Sequence, residues 1–353
     1  MAITPARQNL GAALLLAAGT VLARRAWRRA HALDFAGKTV VIFGGSRGLG
    51  LVLAREFAAE GANLVLVARD RHELRRAQAD IEDRGAPVLA IACDVRDRLQ
   101  VEDTIEGALA EYGTIDVLIN DAGIIQVGPF EHMTVADFED AMATHFWGPL
   151  YATLAALPHM RVRGARRIVN ISSIGGKIAV PHLVPYCASK FAVTGLSEGL
   201  HAELAREGIY VTTVCPGLMR TGSTYNAEFK GQHRREFGWF HVSDSMPGIS
   251  MHARRAARQI IEACRYGEPE LILTLPARLA VVLNAIAPKA MASLMSVTNR
   301  VLPAPTGSEG DQARTGWQST SALVPSWFTT LADRASDENN ELSRQTLSSN
   351  AQL

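Results

Sequence analysis

Three side chains near the middle of the chain have types and spacing suited to proton transfer: Ser173, Tyr186 and Lys190. Tyr186 and Lys190 are four residues apart, so on a helix they lie on one face, one turn from each other. An ammonium group near a phenol favours the phenolate, which predicts a pKa of Tyr186 below the usual value of about 10. Ser173 follows a strand-like run and could offer a hydroxyl to the same reacting oxygen. A chance pair on a surface helix explains the tyrosine and the lysine equally well, so the surrounding chain must decide.

The composition indicates one large α/β domain with extensions. The chain has 353 residues, 48% of them hydrophobic, and a formal net charge of +1. This length is sufficient for a sizeable core, and the near-neutral charge does not indicate a nucleic-acid partner. Scattered cysteines without a C-x-x-C spacing favour a reduced compartment and predict no metal site. The cysteines are Cys93, Cys187, Cys215 and Cys264.

A glycine-rich turn early in the chain predicts a phosphate-binding site. An apolar, β-branched run over residues 38–43 enters a turn with glycines at 44, 48 and 50, and an amphipathic helix follows. Glycines let the backbone approach a pyrophosphate, and the helix N-terminus supplies N–H groups and a positive dipole end. The candidate cofactor contacts in this turn are Gly44, Ser46, Arg47, Gly48, Leu49 and Gly50.

Two arginines favour NADP(H) as the cofactor. The second strand-like run covers residues 62–70, its apolar part is followed by Arg69, and Arg47 lies in the glycine turn. At the end of this strand an acidic residue suits the ribose of NAD, whereas arginine accommodates the 2′-phosphate of NADP. Asp70 leaves NAD as an alternative, and the two arginines could also be ordinary solvated surface charges.

The runs that follow predict further contacts at strand ends. Strands are predicted at 87–95, 115–123, 167–171 and 210–215, and they alternate with helices. This alternation predicts a doubly wound parallel sheet, a Rossmann fold, with ligands bound at the carboxyl ends of the strands. Asp94 could contact an adenine amino group or cap the next helix. The candidate contacts at these strand ends are Asp94, Val95, Asn120, Ala122, Gly123, Pro216, Gly217 and Thr221.

These motifs, in this order, resemble the short-chain dehydrogenase/reductase family over roughly residues 37 to 270. The matching residues are Gly44-x-x-x-Gly48-x-Gly50, Asp94, Asn120-Asp-Ala-Gly123, Ser173, Tyr186-x-x-x-Lys190, Pro216-Gly217 and Thr221. The resemblance implies a single Rossmann-type catalytic domain and hydride transfer between a nicotinamide cofactor and a carbonyl carbon. By the family's mechanism Tyr186 exchanges the proton, Lys190 lowers the tyrosine pKa and holds the nicotinamide ribose, and Ser173 polarises the carbonyl.

The chain departs from the family pattern at two positions. Phe43 replaces a threonine before the first turn glycine, which should cost a hydrogen bond within the fold. His145 stands where the family carries an asparagine that holds a water of the proton relay behind Lys190. Histidine could replace that asparagine as a catalytic relay residue and titrate near neutral pH; an altered relay is the alternative.

The N-terminal region predicts a membrane anchor. Residues 8–23 are uncharged, and residues 24–29 are rich in arginine. The apolar run is short for a spanning helix, but a basic cluster after it rather than before it differs from a cleaved signal peptide. We expect an uncleaved anchor with the catalytic domain facing the cytoplasm. A helix packed on the protein or on a dimer partner is the alternative.

The chain thus divides into an anchor and basic linker (1–36), a catalytic domain (37–275), an apolar extension (276–303) and a polar, disordered tail (304–353). Within the domain, aromatic residues at 229, 237, 239 and 240 suggest an apolar substrate, although the core of a lid would explain them too. The predicted protein is a membrane-associated, homo-oligomeric NADP(H)-dependent oxidoreductase that interconverts a lipophilic ketone or aldehyde and its alcohol. The alternatives are an NAD-dependent enzyme of the same fold and a catalytically silent nucleotide-binding scaffold.

Overall fold

A parallel sheet of seven strands is the centre of the molecule. The computed structural model describes residues 32–162, 166–246, 250–320 and 330–341, together with Gly19, Ala26 and Arg28. The strands are β1 (Thr39–Phe43), β2 (Asn63–Ala68), β3 (Val88–Ala92), β4 (Val117–Asn120), β5 (Arg166–Ile171), β6 (Ile209–Cys215) and β7 (Glu270–Ile272). They lie in the order β7-β6-β5-β4-β1-β2-β3. The predicted doubly wound fold is confirmed.

Helices cover both faces of the sheet and create two apolar cores. They are α1 (Gly48–Ala59), α2 (Arg71–Glu82), α3 (Arg98–Tyr112), α4 (Val135–Met142), α5 (Gly148–Met160), α6 (Val184–Leu204), α7 (His233–Ser245), α8 (Ala253–Tyr266), α9 (Leu275–Ile286), α10 (Pro288–Asn299) and α11 (Thr330–Glu338). Helices α1 and α8 pack on one face, and α3 and α5 pack on the other. All five residues of β1 are buried, as expected of a central parallel strand covered on both sides.

The helical region between β4 and β5 is interrupted. Helix α4 ends at Met142, a π-helical turn occupies Ala143–Trp147, and α5 begins at Gly148. Pro149 has no backbone N–H to donate to the carbonyl four residues earlier, which disfavours regular α-helical bonding at this point. The wider turn places His145 inside the protein with only 1% of its surface exposed.

The prediction that the protein is associated with a membrane is wrong, judged by the residues that the structure describes. In that part of the chain, no helix is both long enough and apolar enough to cross a bilayer. The proposed anchor at 8–23 itself lies outside the described residues, apart from Gly19.

The C-terminal region is more ordered than the sequence predicted. The apolar extension forms α9 and α10, which meet at Pro288, and both helices expose leucine and valine side chains. Residues 304–320 and 330–341, predicted to belong to a disordered tail, are hydrogen-bonded to the catalytic domain. Trp317 stacks on Tyr225 with 4.4 Å between ring centroids, so this stretch contributes to the domain's core.

Candidate active site

The structure brings the predicted motifs to one edge of the sheet. Four neighbouring strands, β1, β4, β5 and β6, end beside one another, and each is followed by a predicted site segment. The glycine turn follows β1, Asn120 ends β4, Ser173 follows β5, and Pro216 follows β6. The carboxyl edge of an open parallel sheet is where such folds bind ligands, so parallel topology explains why residues far apart in sequence meet here.

The glycine turn approaches the end of β4 too closely for a side chain. Gly44 has a φ of +91°, and a methyl group on it would lie 2.6 Å from the backbone nitrogen of Ala122. Gly48 begins α1, the helix that directs its N-terminus at the sheet edge. Small residues on both turns keep side chains of their own out of the space beside the helix N-terminus. This cradle fits the pyrophosphate of a dinucleotide.

Tyr186 lies on α6 and packs against an aromatic cluster that includes Phe229, Phe237 and Phe240. Burial raises the pKa of its phenol above the usual value of 10, and a hydrogen bond with Ser173 only partly opposes this rise. The pKa of Tyr186 therefore lies above its usual value, and the prediction that Lys190 holds it below that value is wrong. Desolvation by the aromatic cluster outweighs the charge of a lysine that lies 5.6 Å from the ring centroid. Tyr186 is protonated at neutral pH.

Lys190 lies beneath the tyrosine and is 6% exposed. Its Nζ donates to the carbonyl oxygen of Ile171 at 2.8 Å. Burial lowers the pKa of Lys190 to about 8, and the nearby carboxyl of Asp121 opposes that shift. A cation with this pKa is still charged at neutral pH, but it loses its proton in mildly alkaline solution.

Asp121 is a site residue that sequence reasoning missed. Burial raises the pKa of its carboxyl to about 8, while Lys190 and a hydrogen bond from the backbone N–H of Gly50 oppose the rise. It lies between two predicted contacts, Asn120 and Ala122, and that position was the only signal for it. Asp121 thus connects the glycine turn electrostatically to Lys190.

His145 is hydrogen-bonded on both ring nitrogens. Its Nε2 accepts from the backbone N–H of Ile124 at 3.1 Å, and its Nδ1 lies 2.7 Å from Oγ of Ser189. Burial and the charge of Lys190 hold the pKa of His145 well below its usual value, so the ring is neutral. Since Nε2 accepts, the ring proton is on Nδ1 and is donated to Ser189, whose hydroxyl donates to the carbonyl of Tyr186 at 2.8 Å. The predicted titration of His145 near neutral pH is therefore wrong.

These contacts give His145 a positioning role that two substitutions can test. We expect His145→Leu to lower the activity of the site by about 10-fold to 100-fold, because Ile124 and Ser189 lose their buried partner. His145→Asn should retain most of the activity, because the amide both donates and accepts. Steady-state kinetics of the two variants check this. Equal losses in both would show that the ring's shape matters rather than its hydrogen bonds.

Asp94 is held by Arg96 rather than capping a helix. Burial alone would raise the pKa of the Asp94 carboxyl. Hydrogen bonds from the guanidinium and the backbone N–H of Arg96 outweigh that effect and keep this pKa below its usual range. The cap of α3 is Asp97, which accepts from two backbone N–H groups, so the capping alternative for Asp94 is wrong. The neighbouring Val95 packs against Gly148 at the start of α5.

The two arginines predicted to select NADP(H) have different surroundings. Arg69 is exposed at the end of β2. Arg47 is paired with Glu73 at 2.9 Å and lies 3.5 Å from Glu341. Asp70 caps α2, and the N–H of Glu73 contributes most to lowering the pKa of its carboxyl. Asp70, which left NAD(H) as an alternative cofactor, thus accepts hydrogen bonds from the backbone of α2.

The remaining predicted contacts have structural partners at the same edge. Asn120 donates to Asn170 at 2.8 Å and so joins β4 to β5. Thr221 is buried and donates to Ser223 at 3.0 Å. The carbonyl of Pro216 accepts from the N–H of Ile174, which ties the turn after β6 to the one after β5. Ala122 and Gly123 lie beside the glycine turn and His145, and Gly217 lies against Thr274.

The aromatic residues of the segment after β6 pack together into a small apolar core. Phe229 and Phe237 are fully buried, with their rings 5.5 Å apart, edge to face. Trp239 donates to Glu236 on the same helix. This packing supports the lid-core interpretation rather than a direct substrate contact. Asp244, one turn beyond Phe240, is also buried, and burial raises the pKa of its carboxyl to about 8.

Comparison with known proteins identifies the family. A family model described as short chain dehydrogenase matches residues 38–230. The chain is 38% identical over 183 residues to a putative ketoacyl reductase of the granaticin polyketide synthase from Streptomyces violaceoruber, covering 51% of this chain and 67% of that protein. It is 38% identical over 189 residues to 3-ketodihydrosphingosine reductase from Mus musculus, covering 52% of this chain and 57% of that protein.

A solved structure has the same fold. A variant of actinorhodin polyketide ketoreductase with NADPH superposes with a TM-score of 0.61 at 28% identity, over 67% of this chain and 96% of that one. The chain belongs to the short-chain dehydrogenase/reductase family, and it is an oxidoreductase of that family. The family uses NAD(H) or NADP(H).

Proposed function

We propose that the protein is an NADP(H)-dependent oxidoreductase that interconverts a lipophilic ketone or aldehyde and its alcohol. The observation that carries this proposal is the placement of Ser173, Tyr186 and Lys190 together at the sheet edge where the glycine turn lies, with Nζ of Lys190 5.6 Å from the centroid of the Tyr186 ring. The turn, Asn120, Ala122 and the segment from Pro216 to Thr221 would hold the dinucleotide. When bound, the nicotinamide supplies or accepts the hydride.

The chain's own residues account for the proton. In the reducing direction the hydroxyl of Tyr186 donates its proton to the carbonyl oxygen as that oxygen gains negative charge. Ser173 donates a hydrogen bond to the same oxygen and orients the carbonyl. The nearby ammonium of Lys190 stabilises the phenolate that remains on Tyr186. In the oxidising direction the same phenolate accepts the alcohol's proton.

Two features support a lipophilic substrate. Helix α9 begins beside the Pro216–Gly217 turn, and its exposed face carries Leu275, Leu279 and Ile286. The polyketide and sphingosine relatives are both named as reductases of ketone groups on acyl or sphingoid chains. Oxidation of NADPH with a panel of apolar ketones, followed by absorbance, tests the proposal. If the protein binds NADPH and reduces none of them, a nucleotide-binding scaffold is the better explanation.

The preference for NADP(H) is tested at Arg69. We expect Arg69→Asp to weaken NADPH binding by at least about tenfold, because a charge-assisted hydrogen bond to the 2′-phosphate is replaced by repulsion. NADH binding should stay the same or improve, because NADH has no phosphate there. Fluorescence titration of both nucleotides measures the two dissociation constants. Equal affinity of the unsubstituted protein for NADPH and NADH would contradict the preference.

NAD(H) remains the second candidate because of Glu73. Its carboxylate accepts from the hydroxyl of Ser46 at 3.0 Å and from Arg47 at 2.9 Å. It therefore neutralises one of the two arginines proposed for the phosphate, and an acidic group near this position suits free ribose hydroxyls. The same titration of the two nucleotides separates the two candidates.

A further inference from the structure

A segment near the C-terminus lies in the proposed cofactor site. This docked segment, residues 335–341, comprises the end of α11 and the three residues that follow it. Ser336 is fully buried and lies against Gly222, next to the predicted contact Thr221. Asn339 and Glu341 are each 5% exposed. The docked segment therefore runs from the turn after β6 to the glycine turn after β1.

Hydrogen bonds attach the docked segment to the backbone of the glycine turn. The N–H of Gly48, the first residue of α1, donates to the carbonyl of Asn339 at 2.9 Å. The side chain of Asn340 donates to the carbonyl of Ser46 at 2.7 Å and accepts from Arg76 at 2.6 Å. The Gly48 N–H is one of the donors that a helix N-terminus presents to a phosphate. In this structure a peptide carbonyl takes its place.

Glu341 brings a carboxylate to the same point. Its Oε1 would lie 2.6 Å from a methyl group placed on Gly48, so the acid occupies the space that the glycine leaves open. Its Oε2 accepts from Asn226 at 2.6 Å and lies 3.5 Å from Nε of Arg47. The carboxylate thus uses a glycine turn and an arginine, which are the partners expected of a cofactor phosphate.

We propose that the docked segment is an intramolecular competitor of the nicotinamide cofactor, with Glu341 taking the place of a phosphate at the glycine turn. The segment and the dinucleotide cannot both bond the Gly48 N–H or occupy the space beside it. Burial raises the pKa of the Glu341 carboxyl to about 7, and the charge of Arg47 opposes that rise, so part of the molecules carry a negative charge here at neutral pH. In those molecules a cofactor phosphate would also meet a like charge at close range. Binding of the cofactor therefore requires the segment to leave, and the affinity measured is reduced by the fraction of molecules in which it is docked. This inference rests on the proposed function, since it concerns the same nucleotide site.

The test measures nucleotide binding in the full-length protein with two matched substitutions. Glu341→Gln keeps the size of the side chain and its bond with Asn226 but removes the charge that pairs with Arg47. We expect it to lower the dissociation constants of NADPH and NADH by about tenfold. Glu338→Gln is the same chemical change three residues earlier at an exposed position, and it should leave both constants unchanged.

Amide hydrogen exchange supplies a second readout that does not depend on activity. In the unsubstituted protein, the N–H of Asn339 and that of Glu341 are bonded within the segment. Saturating NADPH should speed their exchange, because the segment is released. Docking of the segment and binding of the nucleotide oppose each other, so a substitution that favours the nucleotide must weaken docking. Glu341→Gln should therefore speed the exchange of these N–H groups even without the nucleotide.

Two results would overturn the proposal. Slower exchange of residues 335–341 with NADPH, together with weaker nucleotide binding by Glu341→Gln, would mean that the segment completes the cofactor site. Unchanged affinity and unchanged exchange in Glu341→Gln, with nucleotide still bound, would mean that the contact has no effect on binding. If neither NADPH nor NADH binds to any of the three proteins, the proposed function fails as well, which distinguishes that result from the other two.

Discussion

Replacing Tyr186 by phenylalanine is expected to lower the rate of ketone reduction by about 10²-fold to 10⁴-fold, the usual contribution of a positioned general acid. The substitution removes one hydroxyl and keeps the ring that packs against Phe229, Phe237 and Phe240. In the proposed mechanism the phenol is the proton donor, and its raised pKa keeps it protonated through the neutral range. Single-turnover oxidation of NADPH with an active ketone measures the loss.

The matched control for this experiment is Tyr112→Phe. Tyr112 is the last residue of α3, before β4, and its hydroxyl lies 3.5 Å from the carbonyl oxygen of Leu64. This position is at the amino end of the sheet, so losing the hydroxyl should leave the rate unchanged. Nucleotide affinity should be similar in both variants. A Tyr186→Phe protein that retained the full rate would remove the basis of the proposed mechanism.

Replacing Lys190 by methionine is expected to lower the rate by at least about 10²-fold. The loss combines a charge-assisted contact to the ribose with stabilisation of the phenolate, each worth about 1.5–3 kcal/mol. Methionine fills a similar volume, so the buried position below Tyr186 remains packed. The carboxyl of Asp121 loses its nearby cation, which should raise its pKa further above the value of about 8.

The same substitution should change the pH dependence of reduction. Lys190 is charged below its pKa of about 8 and neutral above it, so the unsubstituted enzyme should slow as the pH rises through 8. Tyr186 contributes no step in this window because its pKa is higher. Lys190→Met should lose the descending limb. A pH–rate profile between about 6 and 10 tests this.

The substitution Asp121→Asn identifies which ionisable group causes the decrease in rate above pH 8. Asp121 raises the pKa of Lys190, so removing its charge should move the limb to lower pH while leaving it visible. If the limb disappeared in Asp121→Asn and persisted in Lys190→Met, it would report ionisation of Asp121 rather than of the lysine.

The elements that position the site followed from local patterns in the sequence. The run into Phe43, the glycines after it and the helix that follows are specified by neighbouring residues, and β1 and α1 lie where they were expected. Helix α3, which runs from Arg98 to Tyr112, is one of the helices expected between the strands. Parallel topology then requires the strand ends to meet, so the grouping of Ser173 with the glycine turn followed from strand order alone.

Predictions that depended on packing were less successful. The spacing of Tyr186 and Lys190 predicted a lowered tyrosine pKa, but residues from the loop after β6 bury the phenol and reverse the shift. His145 was expected to titrate near neutral pH, and its burial in the π-helical turn prevents this. Desolvation depends on which distant segments cover a group, and spacing along the chain does not record that.

The sequence by itself determined the sheet, its ligand-binding edge and the residue types present there, because period-two and helical patterns act over a few residues. Only the tertiary structure decided the charge states of Tyr186, Lys190 and Asp121, and only it placed Glu341 against Gly48. The composition of residues 304–353 predicted disorder. The contacts of residues 335–341 with the glycine turn depend on a surface built by other parts of the chain, so composition could not reveal them.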